Sequence, residues 1–277
     1  MKGERVLARQ RQEAIIREVD RTGGVRVSDL VHTLGVSDMT VRRDIEVLAA
    51  AGLVLKVHGG AAAVIGRSAE EPGFQVKSGM HPGPKSAIAR AAAGLISPGS
   101  SIAISAGTTT YAVAQELVNV PDLTVVTNSP RVADLLHTAQ REHPTVILTG
   151  GVRTPSDALA GPVADATLSS LHVDTLILGV HGIDPVAGLT TPNLIEAATN
   201  RALIASARRV IVVADHSKWR VIGLSTFATL DRVDVLVTNA GLDADARRIV
   251  SEQVGQLIVA PPFGDAEDDK PGKVQNS

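Results

Sequence analysis

Cysteine is absent from this chain of 277 residues, which excludes disulfides, thiolate metal sites, iron–sulfur clusters and cysteine nucleophiles together. Aromatic residues are scarce: at 2% they are Phe74, Tyr111, Trp219, Phe227 and Phe263. The core is therefore aliphatic, built from Val, Leu, Ile and Ala. None of the five falls in the first 73 residues, so that stretch has no platform on which bases of single-stranded or looped nucleic acid would stack. Long apolar runs are missing too. Residues 210–214 form one of the longest, far below the roughly 18 residues that a membrane helix needs. The first ten residues are charged and lack the apolar centre of a signal peptide. No sign of charge dominates, with 27 Lys and Arg against 29 Asp and Glu, so the chain is not a tail-driven polyanion binder. There is no Walker loop and no Gly-x-Gly-x-x-Gly pattern. The eight histidines (His32, His58, His81, His137, His143, His172, His181 and His216) show no metal-ligand pairing. The expectation is a soluble cytoplasmic protein with no cofactor and no metal.

What is present is ample apolar material, 44% of residues, in a length comfortable for two domains. The charge is unevenly spread. Residues 1–60 hold ten Lys and Arg against eight Asp and Glu, and residues 61–277 hold the other 17 and 21. The direction of that asymmetry suits an amino-terminal part that meets a polyanion. Residues 263–277 have almost no apolar content and read as a disordered tail.

The first 65 residues read as three helices and a hairpin. Leu7, Ile15, Ile16 and Val19 recur at helical spacing, which predicts a helix over about 6–21, stopped by Gly23 and Gly24. Ser28 is placed to cap a short second helix carrying Leu30, Val31 and Leu34. After a turn at Gly35 and Val36, Ser37 caps a third helix running to Ala51. Val41, Ile45 and Leu48 form its buried stripe, leaving Asp38, Thr40, Arg42, Arg43 and Glu46 outside. Residues 53–57 and 61–65 read as strands around a turn at His58, Gly59 and Gly60. This is the pattern of a winged helix-turn-helix, whose third helix fits the major groove with its first turn toward base edges. Lys56 and His58 on the hairpin reach neighbouring backbone or minor groove.

Val-Arg-Val-Ser-Asp-Leu at 25–30, Leu-Gly-Val-Ser at 34–37, Thr-Val-Arg-Arg-Asp-Ile at 40–45, Leu48, Gly52, Leu53 and Val-His-Gly-Gly-Ala at 57–61 resemble the amino-terminal domain of DeoR-type bacterial transcriptional regulators. The resemblance implies that the third helix reads an operator through Ser37, Thr40, Arg42 and Arg43, with wing contacts from Lys56 and His58. Residues 1–65 are then the DNA-binding domain, and the polar, Gly- and Pro-rich stretch 66–82 is a linker.

From residue 83 to 262 short apolar strands alternate with helices. Strands are expected at 101–104, 123–127, 145–149, 175–180, 210–214, 233–237 and 257–259. Helices are expected at 85–95, from Gly107 through Val118, from Asn128 to about Ala139, and near 163–171, 194–207 and 243–253. The fold class is α/β, a mostly parallel sheet covered on both faces. Ligands in such sheets sit beyond the carboxyl ends of the strands. The residues there are Ser105, Gly107, Thr108, Thr109 and Thr110; Thr127 and Asn128; Gly150 and Gly151; His181 and Gly182; and Asp215 and Lys218. A glycine and three hydroxyls opening a helix offer amides and the positive dipole end to a phosphate, and Lys85 adds a cation.

This half is similar to the effector domain of the same family, itself related to ribose-5-phosphate isomerase. The similarity rests on Lys85, Gly107 to Thr110, Thr127 to Ser129, Gly150, Gly151, Gly161, Asp174, Gly182, Gly188 to Thr190, Glu196, Ala197 and Asp215 to Lys218. The chain departs from the family pattern at Ser105 and Ala106, where an acidic residue is frequent, at Asn239 in place of an aspartate, and at Asn200 in place of a lysine. The phosphate-type loop is intact. The resemblance implies a repressor of a sugar or carbon-metabolism operon that binds double-stranded operator DNA as a homo-oligomer, dimer or tetramer. A phosphorylated sugar or related metabolite, also touching Glu196, releases it. Two alternatives stand beside it. One is a phosphosugar isomerase using Asp215, Lys218 and Glu196 for proton transfer and enediolate stabilisation. The other is a constitutive DNA binder with a dimerisation domain.

Overall fold

The computed structural model describes residues 8–22, 24–50, 53–57, 59–62, 74–78, 82–138 and 144–261. The chain divides into two compact units, Met1–His81 and Pro82–Ser277.

In the first unit, helix α1 (Ala8–Thr22) is followed by strand β1 (Gly24–Arg26), α2 (Val27–Leu34), α3 (Asp38–Ala50), β2 (Leu55–Val57) and β3 (Gly60–Ala62). Ile15, Ile16 and Val19 of α1, Val27 and Leu30 of α2, and Val41, Ile45 and Leu48 of α3 meet in one core. The apolar stripe read at Val41, Ile45 and Leu48 is buried as expected. Two features differ from the sequence reading. The hairpin is part of a three-stranded antiparallel sheet in the order β1-β3-β2, because residues 24–26 pair with β3 instead of merely ending a helix. Ser28 is not the cap of α2. The helix starts two residues earlier, at Val27 after an extended Arg26, and no side chain caps it. The Val27 amide donates to the Gly59 carbonyl at 2.9 Å, so the sheet itself satisfies the first orphan amide. Gly60 lies so close to β1 that a Cβ there would sit 2.1 Å from the Val25 carbonyl oxygen. Within the stretch read as a linker, Phe74–Ser78 forms a short helix, α4. Residues 63–73, the tail 263–277 and His58 lie outside the described residues.

The second unit runs α5 (Pro82–Ala93), β4 (Ser101–Ile104), α6 (Thr108–Leu117), β5 (Thr124–Thr127), α7 (Pro130–Thr138), β6 (Thr145–Leu148), β7 (Val152–Arg153), β8 (Leu159–Ala160), α8 (Pro162–Ser169) and β9 (Val173–Gly179). It continues with β10 (Gly182–Asp184), β11 (Gly188–Thr191), α9 (Leu194–Ser206), β12 (Ala207–Val213), β13 (Ser225–Ala228), β14 (Val235–Asn239), α10 (Ala244–Ser251) and β15 (Gln256–Ala260). Seven strands make one parallel sheet in the order β15-β14-β12-β9-β4-β5-β6. Alternation along each strand divides the core in two. Ile102, Ile104, Val125, Ile177, Ile211 and Val213 point to the face covered by α5, α6 and α7. Ala103, Val126, Leu176, Leu178, Val210 and Val212 point to the face covered by α8, α9 and α10. The sequence reading missed two small antiparallel elements, the hairpin β7-β8 and the sheet β10-β11-β13. The latter packs on the second face through Ile183, Leu189 and Phe227. Among the described residues no helix is long and apolar enough to cross a membrane.

The strand order places a topological switch in the middle of the sheet. From β4 the chain steps outward to β5 and β6, then returns to β9 on the other side of β4 and steps outward to β12, β14 and β15. The β4–β9 seam is where connections diverge and where a crevice opens at the carboxyl ends. Its amino end is latched by Asp174, whose carboxylate accepts from the Ser101 amide at 3.0 Å and the Ser101 hydroxyl at 2.7 Å. Those hydrogen bonds hold the Asp174 carboxyl below the usual aspartate range.

Candidate functional site

On the first unit, α3 presents Asp38, Met39, Arg42, Arg43 and Glu46 to solvent, with Thr40 half-buried at its start. Ser37 caps the helix. Its carbonyl accepts from the Thr40 and Val41 amides, and its hydroxyl meets the Thr40 hydroxyl at 2.9 Å. The Arg42 guanidinium turns back one turn onto Asp38, with Nε to Oδ1 at 2.5 Å and Nη2 to Oδ2 at 3.2 Å. That contact holds Arg42 even further above its ordinary value. Lys56 of β2 donates to Glu46 of α3 at 2.7 Å and lowers the Glu46 carboxyl. Arg43 makes no hydrogen bond or ion pair among the described residues.

Sequence reasoning overlooked a buried polar contact behind this face. Asp44 of α3 is 5% exposed. It accepts from Arg11 Nε at 2.8 Å and from Gln12 Nε2 at 3.2 Å, both on α1. The signal was available: Asp44 stands three residues after Val41, on the buried face of the helix.

At the carboxyl edge of the second unit's sheet, the structure joins part of the predicted set around the β4–β9 seam. Ser105 follows β4, and its hydroxyl accepts from the Gly179 amide at the end of β9, 2.9 Å away. Gly107 then opens α6 with φ 154 and ψ 162, a region essentially reserved for glycine. A Cβ at Gly107 would lie 3.0 Å from Thr110 Oγ1, and one at Gly179 would lie 3.3 Å from Thr110 Cγ2. No side chain caps α6, so the amides of its first turn have no side-chain acceptor and carry the positive end of the helix dipole. Ser129 caps α7, Asn193 caps α9 and Asp243 caps α10, whereas α8, like α6, opens on a glycine, Gly161 at φ 95 and ψ -171, with no side-chain cap.

Other members of the set have structural duties. The Thr127 hydroxyl donates to the Ile104 carbonyl at 2.6 Å. The Asn128 side chain accepts from the Ala106 amide at 2.8 Å and donates to the Leu159 carbonyl at 3.1 Å. These bonds fix the entry to α6 from the β5 side. Asn128→Ala removes a buried bridge and is expected to lower stability by about 1–3 kcal/mol, read as a shift in the denaturant midpoint. Gly150 and Gly151 follow β6 and pack against Val163 and Ala160. Gly182 starts β10 against the Val221 carbonyl. Asp215 caps its own 3-10 turn, accepting from the Ser217 amide at 2.9 Å, and Lys218 closes that turn. Lys85 is buried in α5, and His181 is half-buried just after β9.

Three further contacts had no sequence signal. Glu196, buried at the start of α9, accepts from the Ser156 hydroxyl. Asp157 binds both Arg131 and Arg153. Burial alone pushes the Asp157 carboxyl up, but the two guanidiniums outweigh it and hold it below its ordinary value. His216 and Asn239 bind one another across the ends of β12 and β14. A depression of about 290 Å³ lined by Gly83, Pro84, Ala87, Asn239, Ala240, Ala260 and Pro261 lies at that same outer side, away from the β4–β9 seam.

A winged head whose third helix presents Arg42 and Arg43 to solvent, followed by a parallel α/β unit, defines the class: a transcription regulator with a sensor domain. Residues 11–65 match the family model described as a DeoR-like helix-turn-helix domain, and residues 80–240 match the DeoR C terminal sensor domain. The chain belongs to the DeoR family. It is 36% identical to the HTH-type transcriptional regulator GlpR of Haloferax volcanii, over 92% of this chain and 98% of the relative. It is 34% identical to the glycerol-3-phosphate regulon repressor of Escherichia coli K12, over 90% and 97%. It is 34% identical to a putative aga operon transcriptional repressor of Escherichia coli O157:H7, over 86% and 88%. Among solved structures it is similar to ribose 5-phosphate isomerase A of Methanocaldococcus jannaschii, 17% identical with a TM-score of 0.36, over 49% of this chain and 53% of that one. A likeness of that size carries no functional weight. As a DeoR-family member the chain is a regulator and not an enzyme, and the isomerase alternative is set aside.

Proposed function

We propose that the protein is a cytoplasmic repressor of a sugar or carbon-metabolism operon, released from operator DNA by a phosphorylated sugar or a related metabolite. One observation carries the sensing half of the reading. An uncapped helix start, opened by a glycine in a glycine-only conformation, stands at the topological switch of a parallel sheet. The phosphate sits on the amides of Thr108, Thr109 and Thr110. The carbon skeleton extends toward Gly150, Gly151, His181, Gly182, Glu196, Asp215, Lys218 and Lys85. Relatives named for a glycerol-3-phosphate regulon support a phosphorylated ligand.

In the head, Ser37 and Thr40 meet backbone phosphate, Arg42 and Arg43 reach base edges, Lys56 and His58 follow the backbone from the wing, and the exposed Met39 meets a thymine methyl group. One such head spans few base pairs, so the working species is a homo-oligomer, a dimer or tetramer reading repeated half-sites. The ligand shifts the balance only through its differential affinity for the bound and released states.

The test is fluorescence anisotropy of a duplex from the region upstream of the protein's own gene, without and with a pool of sugar phosphates. Binding that the pool reverses supports the reading, and binding that no sugar phosphate alters removes the proposed effector class. Arg43→Ala is expected to weaken operator binding by about 1–3 kcal/mol, roughly 5- to 150-fold, while the pool still binds. Unchanged operator affinity would show that α3 is not the reading helix.

A further inference from the structure

We propose that Asp38 is a specificity-determining residue of the DNA-reading head, and that Glu46 serves the same head by restraining its wing. The inference rests on the reading that Arg42 and Lys56 meet DNA. Each of these two cations is already engaged by a carboxylate of the very helix that would enter the groove. Arg42 is held in a two-point contact by Asp38, one turn before it. Lys56 is held across the head by Glu46. All four side chains are more than half exposed, so nothing buries the pairs and phosphate oxygens have free access to compete for the cations.

Sequence-blind binding is almost entirely the neutralisation of phosphates by Lys and Arg, with release of their counterions. A cation held by a carboxylate contributes only after giving up that partner, and the carboxylate left behind then faces the phosphates with its own negative charge. The paired head is therefore less attracted to arbitrary DNA than its basic residues alone imply, and among the described members of the set Arg43 is left ungated.

Asp38 adds discrimination to restraint. It occupies the first turn of α3, the part of a groove helix that reaches base edges. Among the bases, a carboxylate there has a natural partner in the cytosine amino group. On a site offering that donor, Asp38 exchanges Arg42 for cytosine and frees Arg42 for the DNA. On other sequences it is left facing acceptors. Glu46 lies two turns further along, so its effect is on the wing lysine and on all sequences alike.

The experiment measures binding of the full-length protein to a scrambled duplex and to an operator recovered by selection from a random pool, across a salt series. D38N and E46Q are each expected to bind the scrambled duplex about tenfold more tightly at low salt, with the log–log salt slope steeper by about one. D38N is also expected to lower the ratio of operator to scrambled affinity. The control is D29N, on the exposed face of α2, which removes the same charge from a carboxylate that holds no cation among the described residues. It is expected to leave the slope unchanged. In an R42Q background the steepening of the salt slope by D38N is expected to vanish, because no cation is left for Asp38 to hold. If D38N and D29N act alike, net charge alone is responsible and the gate is overturned. If R42Q weakens binding while D38N changes neither slope nor ratio, the DNA-reading assignment stands and the gate falls. If R42Q and K56Q leave binding intact, the assignment itself fails and the gate with it.

Discussion

Arg11→Met is expected to abolish DNA binding by unfolding the head while the second unit stays folded. The substitution leaves the Asp44 carboxylate, 5% exposed, with Gln12 and without the Arg11 guanidinium. Removing one member of a buried ion pair typically costs about 3–5 kcal/mol, because a charge remains in a poorly solvating site. A single core of some 60 residues rarely supplies more than about 3–5 kcal/mol in total, so the loss is comparable with the whole stability of the head. The two units can be followed separately. The head contains no aromatic residue before Phe74, and the single Trp219 lies in the second unit. Helical circular dichroism should lose its head contribution at low temperature, while the Trp219 fluorescence transition keeps its midpoint. The double variant R11M/D44L, which replaces both charges by apolar groups, should regain much of the loss. A single variant that melts like the parent would show that the contact does not secure α3 on α1.

The second large effect is expected for Gly107→Ala at the entry of α6. The native backbone there, φ 154 and ψ 162, is essentially closed to residues with a Cβ. The added methyl carbon would also press on Thr110 Oγ1 at 3.0 Å. Forcing the residue costs about 1–3 kcal/mol, and the turn relaxes by rotating the Thr108, Thr109 and Thr110 amides away from a common focus. If those amides hold the effector's phosphate, the concentration of sugar phosphate needed to release DNA rises by at least about a hundredfold, the equivalent of losing two or three charge-assisted hydrogen bonds. Operator affinity without effector stays at the parental value. A Gly107→Ala protein with lowered stability but a normal release curve would place the phosphate elsewhere on the sheet edge.

Which of these features the sequence reveals follows from how far apart the partners stand. The stripe of Val41, Ile45 and Leu48 is legible because one helix turn brings its members together. Asp44 lies on the same stripe, yet its partner is 33 residues away on α1, and helical period names a face without naming what covers it. The start of α2 is misjudged from sequence for the same reason, since the Gly59 carbonyl that replaces a serine cap is contributed by the wing. In the second unit the apolar strands of the large sheet stand out, while β10, β11 and β13 do not. They are three or four residues long and rich in Gly, Thr and Ser, too short for a period of two to develop. The Gly107 to Thr110 turn is readable as a strand end opening a helix. That Ser105 closes onto Gly179 is not, because the two are 74 residues apart and meet only once the sheet is assembled.

The β4–β9 seam also sets the order in which a newly made chain acquires its parts. Among the described residues the buried core of the head runs from Ile15 to Ala61, so that core can assemble as soon as β3 leaves the ribosome. The sheet of the second unit has no centre until β9 arrives, because β4 pairs with β9 on one side and the loop between Ser101 and Asp174 must close first. At ordinary rates of synthesis the interval is roughly ten seconds. During it each nascent molecule carries a head already able to touch DNA and a sensor that is still open chain. A message truncated in that interval therefore yields a head without its sensor domain.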